Sequence, residues 1–150
     1  MSFVDTYALR GAGRSLEVLA LRRGPNGRNP GSWETVHGTI EAGETPVDAS
    51  LRELREETGL VPKQFYNLSR TDAFYQHRTD ELALIPVFAA FVAADAPVTL
   101  SAEHDRAEWL GVRDAAGRFA WPRERRAVED ILSIVGGGDA GLLEDVLRVS

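Results

Sequence analysis

The sequence has no cysteine, which excludes disulfides, thiolate metal sites and a cysteine nucleophile. Lysine is almost as scarce: Lys63 stands alone, and the other basic side chains are arginine. Acids outnumber bases, 23 Asp and Glu against 17 Lys and Arg, for a net charge of −6 and a pI near 5.1. That sign opposes broad contact with a phosphate backbone, so no large nucleic acid is expected as a partner. No apolar run approaches the roughly 18 residues of a membrane-spanning helix, and no membrane partner is expected. The opening MSFVDTYALRGAGRS lacks the basic start and apolar stretch of a secretory leader. A cytoplasmic location is the expectation. Repeats and low-complexity tracts are missing too, and 150 residues suffice for one sizeable core, so a single domain over 1–150 is expected. The sequence sets no oligomeric state.

What is present is a mixture of alternating and helical patterns. Strands are expected at 4–9, 15–21, 33–38, 64–72, 82–92 and 107–110, the run at 82–92 apolar enough to be central. The turn-rich GPNGRNPGS at 24–32 and the polar stretch 70–81 read as loops. Helices are expected from Pro46 to Gly59, from Pro122 to Val135, and at 140–149. The whole reads as a mixed sheet between helices, an α/β/α sandwich.

The first helix carries the chemistry. Thr45 can cap it, Pro46 suits its first position, and Gly59 supplies a left-handed stop. Val47, Leu51 and Leu54 form an apolar stripe, while Glu53, Glu56 and Glu57 are neighbours three and four apart. Three like charges so close oppose one another until a hard cation sits on them. Mg²⁺ suits carboxylate oxygens and shares its shell with substrate phosphates, which points to phosphoanhydride cleavage. Arg52 and Glu44 are the candidates to orient those ligands. Taken alone, the helix also reads as a solvated face laced with i,i+4 pairs such as Arg52–Glu56.

The surrounding spacing narrows the choice. Gly38, Glu44, Arg52, Glu53, Leu54, Glu56, Glu57, Gly59 and Leu60 fill every specified position of G-x5-E-x7-R-E-U-x-E-E-x-G-U, U being aliphatic. In this the chain resembles the Nudix hydrolases. At ordinary residue usage such a match arises in on the order of one window per few hundred million, which rules out coincidence. The resemblance implies the Nudix α/β/α sandwich with a mixed central sheet, Mg²⁺ (or Mn²⁺) as cofactor, and a small nucleotide or nucleotide-like substrate. It implies Glu53, Glu56 and Glu57 as metal ligands, with the Gly38 carbonyl beside them. A further acid is expected from a later loop. SAEHDRAEWL resembles a segment of the Nudix branch that cleaves dATP and dihydroneopterin triphosphate, which points to Glu103, with Glu108 as rival. That branch makes dATP or a pterin triphosphate the favoured substrate. ADP-ribose, dinucleoside polyphosphates and oxidised dGTP remain alternatives.

Arg22 and Arg23 end a strand that borders the cleft in this family, where they bind phosphate or form a solvated strand end. Tyr75, His77 and Arg78 fall in the polar stretch that subfamilies use to recognise the non-phosphate moiety. His104 either contacts substrate or lies on the surface, and His37, next to Gly38, points into the cleft or the core. Trp33 and Trp109 read first as core residues. Two other functions compete. A nucleotide-sensing module is disfavoured by the complete motif and by the lack of space for an appended domain, and an RNA-end hydrolase by the acidic pI.

Overall fold

The computed structural model describes residues 2–150. Its strands are β1 (Phe3–Arg10), β2 (Glu17–Arg23), β3 (Trp33–Glu34), β4 (Val36–Thr39), β5 (Gln64–Gln76), β6 (Glu81–Phe91) and β7 (His104–Gly111). Its helices are α1 (Pro46–Thr58), α2 (Val112–Arg118), α3 (Pro122–Val135) and the single turn α4 (Glu144–Leu147). The strands join in one sheet ordered β3-β2-β1-β6-β5, with β4 on β1 and β7 on β2. β1 and β6 run parallel and the other pairs antiparallel, so the sheet is mixed.

Strand alternation builds a core on each face. Val4, Ala8, Leu19, Leu21, Phe65 and Phe88 pack with Leu54 of α1. Tyr7, Leu9, Val18, Ala20 and Val87 point the other way, onto Phe119 and onto Ala127 and Ile131 of α3. This is the expected α/β/α sandwich. β1 and β2 share only the register pairs Leu9↔Val18 and Arg10↔Glu17 before they diverge, β1 to β4 and β2 to β3. The strand expected at 33–38 is therefore broken at Thr35, whose amide donates to Glu124 at 2.7 Å.

Three further expectations are corrected. The stretch 70–81 is not a loop: β5 runs to Gln76, and Phe74↔Ala83 and Tyr75↔Leu82 pair it with β6 in a long hairpin. Backbone pairing to a neighbour outweighs the polar composition that suggested a loop. The strand at 107–110 extends back to His104 by pairing with β2. The final helix shrinks to a 3₁₀ turn (Gly141–Leu143) and α4, after which the chain leaves the helix to bridge Arg148 to Tyr66. α2 was not anticipated; it is short, contains Gly117 and has no side-chain cap. No helix among the described residues is long and apolar enough to cross a membrane.

Candidate active site

α1 starts and stops as its sequence requires. Thr45 Oγ1 accepts from the Asp48 amide at 3.1 Å, Pro46 takes the first position, and Gly59 (φ 74°) closes the helix by donating to Arg55 O at 2.8 Å. Its buried face differs from the expected stripe. Ala49, Ser50, Leu54, Glu57 and Thr58 are buried, while Val47 and Leu51 lie at the margin. The Ser50 hydroxyl hydrogen-bonds Thr6 of β1, so a polar seam centres the contact and rolls Glu57 inward.

The three box glutamates consequently occupy three environments. Glu57 is 2% exposed. The Glu53 side chain is 14% exposed and sits against the α-carbon of Gly38. A Cβ at Gly38 would fall 2.1 Å from the Glu53 carboxyl carbon, so only glycine permits this approach. Glu56 is 58% exposed and accepts from Arg52 Nη1 at 3.2 Å.

Arg52 orders this face. Its Nε and Nη2 donate to the two Glu44 oxygens at 2.7 and 3.0 Å, Nη1 donates to Glu53 at 2.9 Å, and Nη2 also reaches Thr39 O at 3.0 Å. The Arg52 hydrogen bonds, with help from the Glu41 amide, hold the Glu44 carboxyl down to about 2. Arg52 and Glu44 thus form a fixed clamp behind Glu53.

Around Glu57 charge and burial conflict. Burial pushes its carboxyl well above the ordinary range, and Glu53, Glu103 and Glu34 push the same way. Neither Glu57 oxygen has a hydrogen-bond partner. Such a group is satisfied by a proton or by a cation. Glu34, Glu57 and His104 bring ligand atoms within 4.8 Å of one another, and Glu53 and Glu103 also bear on Glu57; carboxylates of this kind suit a divalent ion.

Glu103 precedes β7 and bears electrostatically on Glu57, and its carbonyl accepts from the Gly24 amide at 3.0 Å. Glu108 is directed elsewhere, paired with Arg106 and Arg118 at 3.2 Å each. His104 is neither a surface residue nor open to substrate: it is 4% exposed, with Nε2 2.8 Å from Glu34 Oε2. Arg23 Nη1 donates to the same Glu34 oxygen at 3.0 Å, and Arg22 pairs with Asp105 at 2.8 Å. Tyr75 bonds Asp80 across the hairpin tip at 2.8 Å, where His77 and Arg78 are exposed. No hydrogen bond or ion pair joins these three to α1 among the described residues.

His37 and Gly38 occupy opposite faces of the sheet. His37 Nδ1 lies 2.7 Å from buried Asp5, which also accepts from Arg123 Nε at 2.8 Å. Burial alone would raise Asp5, but the His37 hydrogen bond and the Arg123 charge outweigh it and hold the carboxyl below its ordinary value. Trp33 and Trp109 serve the packing, each with an arginine over its ring: Arg118 at 4.7 Å and Arg10 at 4.5 Å. Glu34 is the residue that sequence reasoning missed. Its one local signal was an acid inside the expected strand 33–38.

An acidic helix seated on a mixed sheet, with Gly38 of β4 against Glu53, defines the class of domain. The NUDIX domain model matches residues 4–131, and the chain belongs to that family. It is 37% identical over 130 residues to an octanoyltransferase of Myxococcus xanthus, an alignment covering 86% of this chain and 36% of that protein. The chain thus spans about a third of that relative's length. It is 32% identical over 85 residues to an asymmetrical bis(5'-nucleosyl)-tetraphosphatase of Rattus norvegicus, covering 55% of this chain and 58% of the other. The fold matches the E. coli dihydroneopterin triphosphate pyrophosphohydrolase with a TM-score of 0.69 at 23% identity, over 87% of this chain and 94% of that one.

Proposed function

We propose that the chain is a hydrolase that cleaves a phosphoanhydride bond in a nucleoside triphosphate or a related diphosphate-linked metabolite. The observation that carries this is Glu57, a buried carboxylate with both oxygens unpartnered inside a ring of further acids. Bound there, a divalent cation such as Mg²⁺ supplies Lewis-acid polarisation of phosphate oxygens and acidifies the attacking water. The protein's part is positional. Glu53, Glu56 and Glu57 hold the cation, the Glu44–Arg52 clamp fixes Glu53, and Glu103 completes the shell or accepts the proton of the attacking water. Arg22 on β2, paired with Asp105 at 2.8 Å, would contact substrate phosphate only by exchanging that partner. Arg23 is already engaged by Glu34, and Tyr75, His77 and Arg78 would reach substrate only across the hairpin tip.

The Glu103–His104 segment favours a triphosphate such as dATP or a pterin triphosphate. The rat relative supports a dinucleoside polyphosphate as the second reading. A product-resolved screen of nucleotides with Mg²⁺ tests both, because it reports the moiety and the scissile bond together. Glu56→Gln and Glu57→Gln should each lower turnover by about 10³-fold, the loss of several kcal/mol of transition-state stabilisation. Near-normal rates in these variants would refute the metal role. Tight nucleotide binding without any turnover would indicate a sensor instead.

A further inference from the structure

His104 lies outside the box motif, yet it faces the same carboxylate. Its side chain is fully shut from solvent, and Nδ1 has no hydrogen-bond partner. Nε2 is committed to Glu34 at 2.8 Å. Arg23 donates to the same Glu34 oxygen at 3.0 Å. With Nε2 held by Glu34, Nδ1 is the ring atom left to face the site. It lies 3.7 Å from Glu57 Oε1, itself unpartnered. Buried polar atoms left without partners and facing one another are satisfied by a group seated between them. Glu34, Glu57 and His104 bring ligand atoms within 4.8 Å of one another.

We propose that His104 Nδ1 is a nitrogen ligand to the cation that Glu57 holds, with Glu34 as the carboxylate that fixes the tautomer and Arg23 as the charge that fixes Glu34. This inference rests on the cation-binding part of the function proposed above. A carboxylate–imidazole–metal chain orients the ring and raises its basicity. It also changes which ion is preferred. An all-oxygen set suits Mg²⁺ and Mn²⁺ alike, whereas an imidazole donor tilts affinity toward first-row transition ions, of which Mn²⁺ is the weakest binder and the one closest to Mg²⁺. The site is then selective for Mn²⁺ over Mg²⁺.

The test is pulsed electron paramagnetic resonance on the full chain, stripped by chelation and reloaded with limiting Mn²⁺. The chain has only 3 histidines, so labelling histidine with ¹⁵N reads the ligand without any substitution. The expected result is a directly bonded nitrogen coupling that changes isotope with the label. It should vanish in His104→Gln and persist in His37→Gln and His77→Gln. His104→Gln should also weaken Mn²⁺ binding by about 10–100-fold, the range for lost support at a metal site, while Mg²⁺ binding changes little. Mn²⁺ bound to the unsubstituted protein without histidine coupling would overturn the assignment and leave His104 as a structural partner of Glu34. Survival of the coupling in His104→Gln would overturn it as well. Histidine coupling in a protein that hydrolyses no anhydride would support this assignment and sink the hydrolase reading. Failure to bind Mn²⁺ at all would sink both.

Discussion

Glu57 concentrates the cost of this site in a single side chain. A carboxylate buried without partners, among three further acids, opposes folding whenever the cation is absent. Glu57→Gln removes the ionisable group while keeping the shape. The metal-free variant should therefore melt above the metal-free parent, by roughly 2–4 °C for each 1 kcal/mol recovered. Its melting temperature should no longer respond to added divalent cation. Thermal scans with and without chelator read both effects, and a variant that melts lower than its parent would show that Glu57 is not the strained group. Glu103 and Glu108 separate on the same scale. Glu103 bears on Glu57, whereas Glu108 is held by two arginines on the other side of β7. Glu103→Gln should lower turnover more than Glu108→Gln, and the opposite ranking in steady-state rates would move the role to Glu108.

Among the elements, α1 was legible because its signals are local: a capping threonine, a following proline, a glycine stop and acids at fixed spacing. Its roll about its own axis was not. Val47, Leu51 and Leu54 suggested one buried face, but the Thr6–Ser50 contact turned Glu57 inward, and a serine in a helix announces nothing of that kind. The Glu34–His104 contact was hidden for a similar reason, since it joins strands 70 positions apart. α3 has its own concealed device. Buried Glu124 accepts from the Thr35 and Trp121 amides at 2.7 and 3.1 Å, pinning the helix start to the break between β3 and β4. Burial raises its carboxyl to about 8 from 4.5, a change that the neighbouring charge of Asp5 reinforces and Arg123 opposes. The folded state thus keeps a proton that the unfolded chain releases. Stability contributed by Glu124 is full below 4.5 and declines as pH rises toward about 8. Asp5, whose carboxyl is lowered, acts only below its ordinary 3.8, whereas Glu57, raised by burial, adds to the same fall, so the scans are compared in a Glu57→Gln background. Melting temperature should fall between about pH 5 and about pH 8, and Glu124→Gln should flatten that fall; equal slopes would exclude Glu124 as the titrating group.

At the scale of the molecule, the sheet is the shared floor of both cores, and the site stands on its divergent edge. β1 lends Val4 and Ala8 to one core and Tyr7 and Leu9 to the other, so neither layer can open without disturbing the strand between them. We propose that residues 1–150 unfold as one cooperative unit for this reason. A cation bound at Glu57 would then act on the whole fold, although its proposed ligands lie only on α1 and its neighbours. Any ligand that binds the native state alone stabilises by mass action, about 2.7 kcal/mol at a hundredfold excess over Kd. For a chain of this size that corresponds to a rise of roughly 5–10 °C in Tm. Calorimetry with saturating Mn²⁺ should show one transition shifted upward by that amount, because the relief of charge at Glu57 is felt through α1, β1 and the sheet together. Two resolved transitions, with only the lower one responding to the ion, would mean that the α1 layer melts on its own and that the shared strand does not couple the two cores.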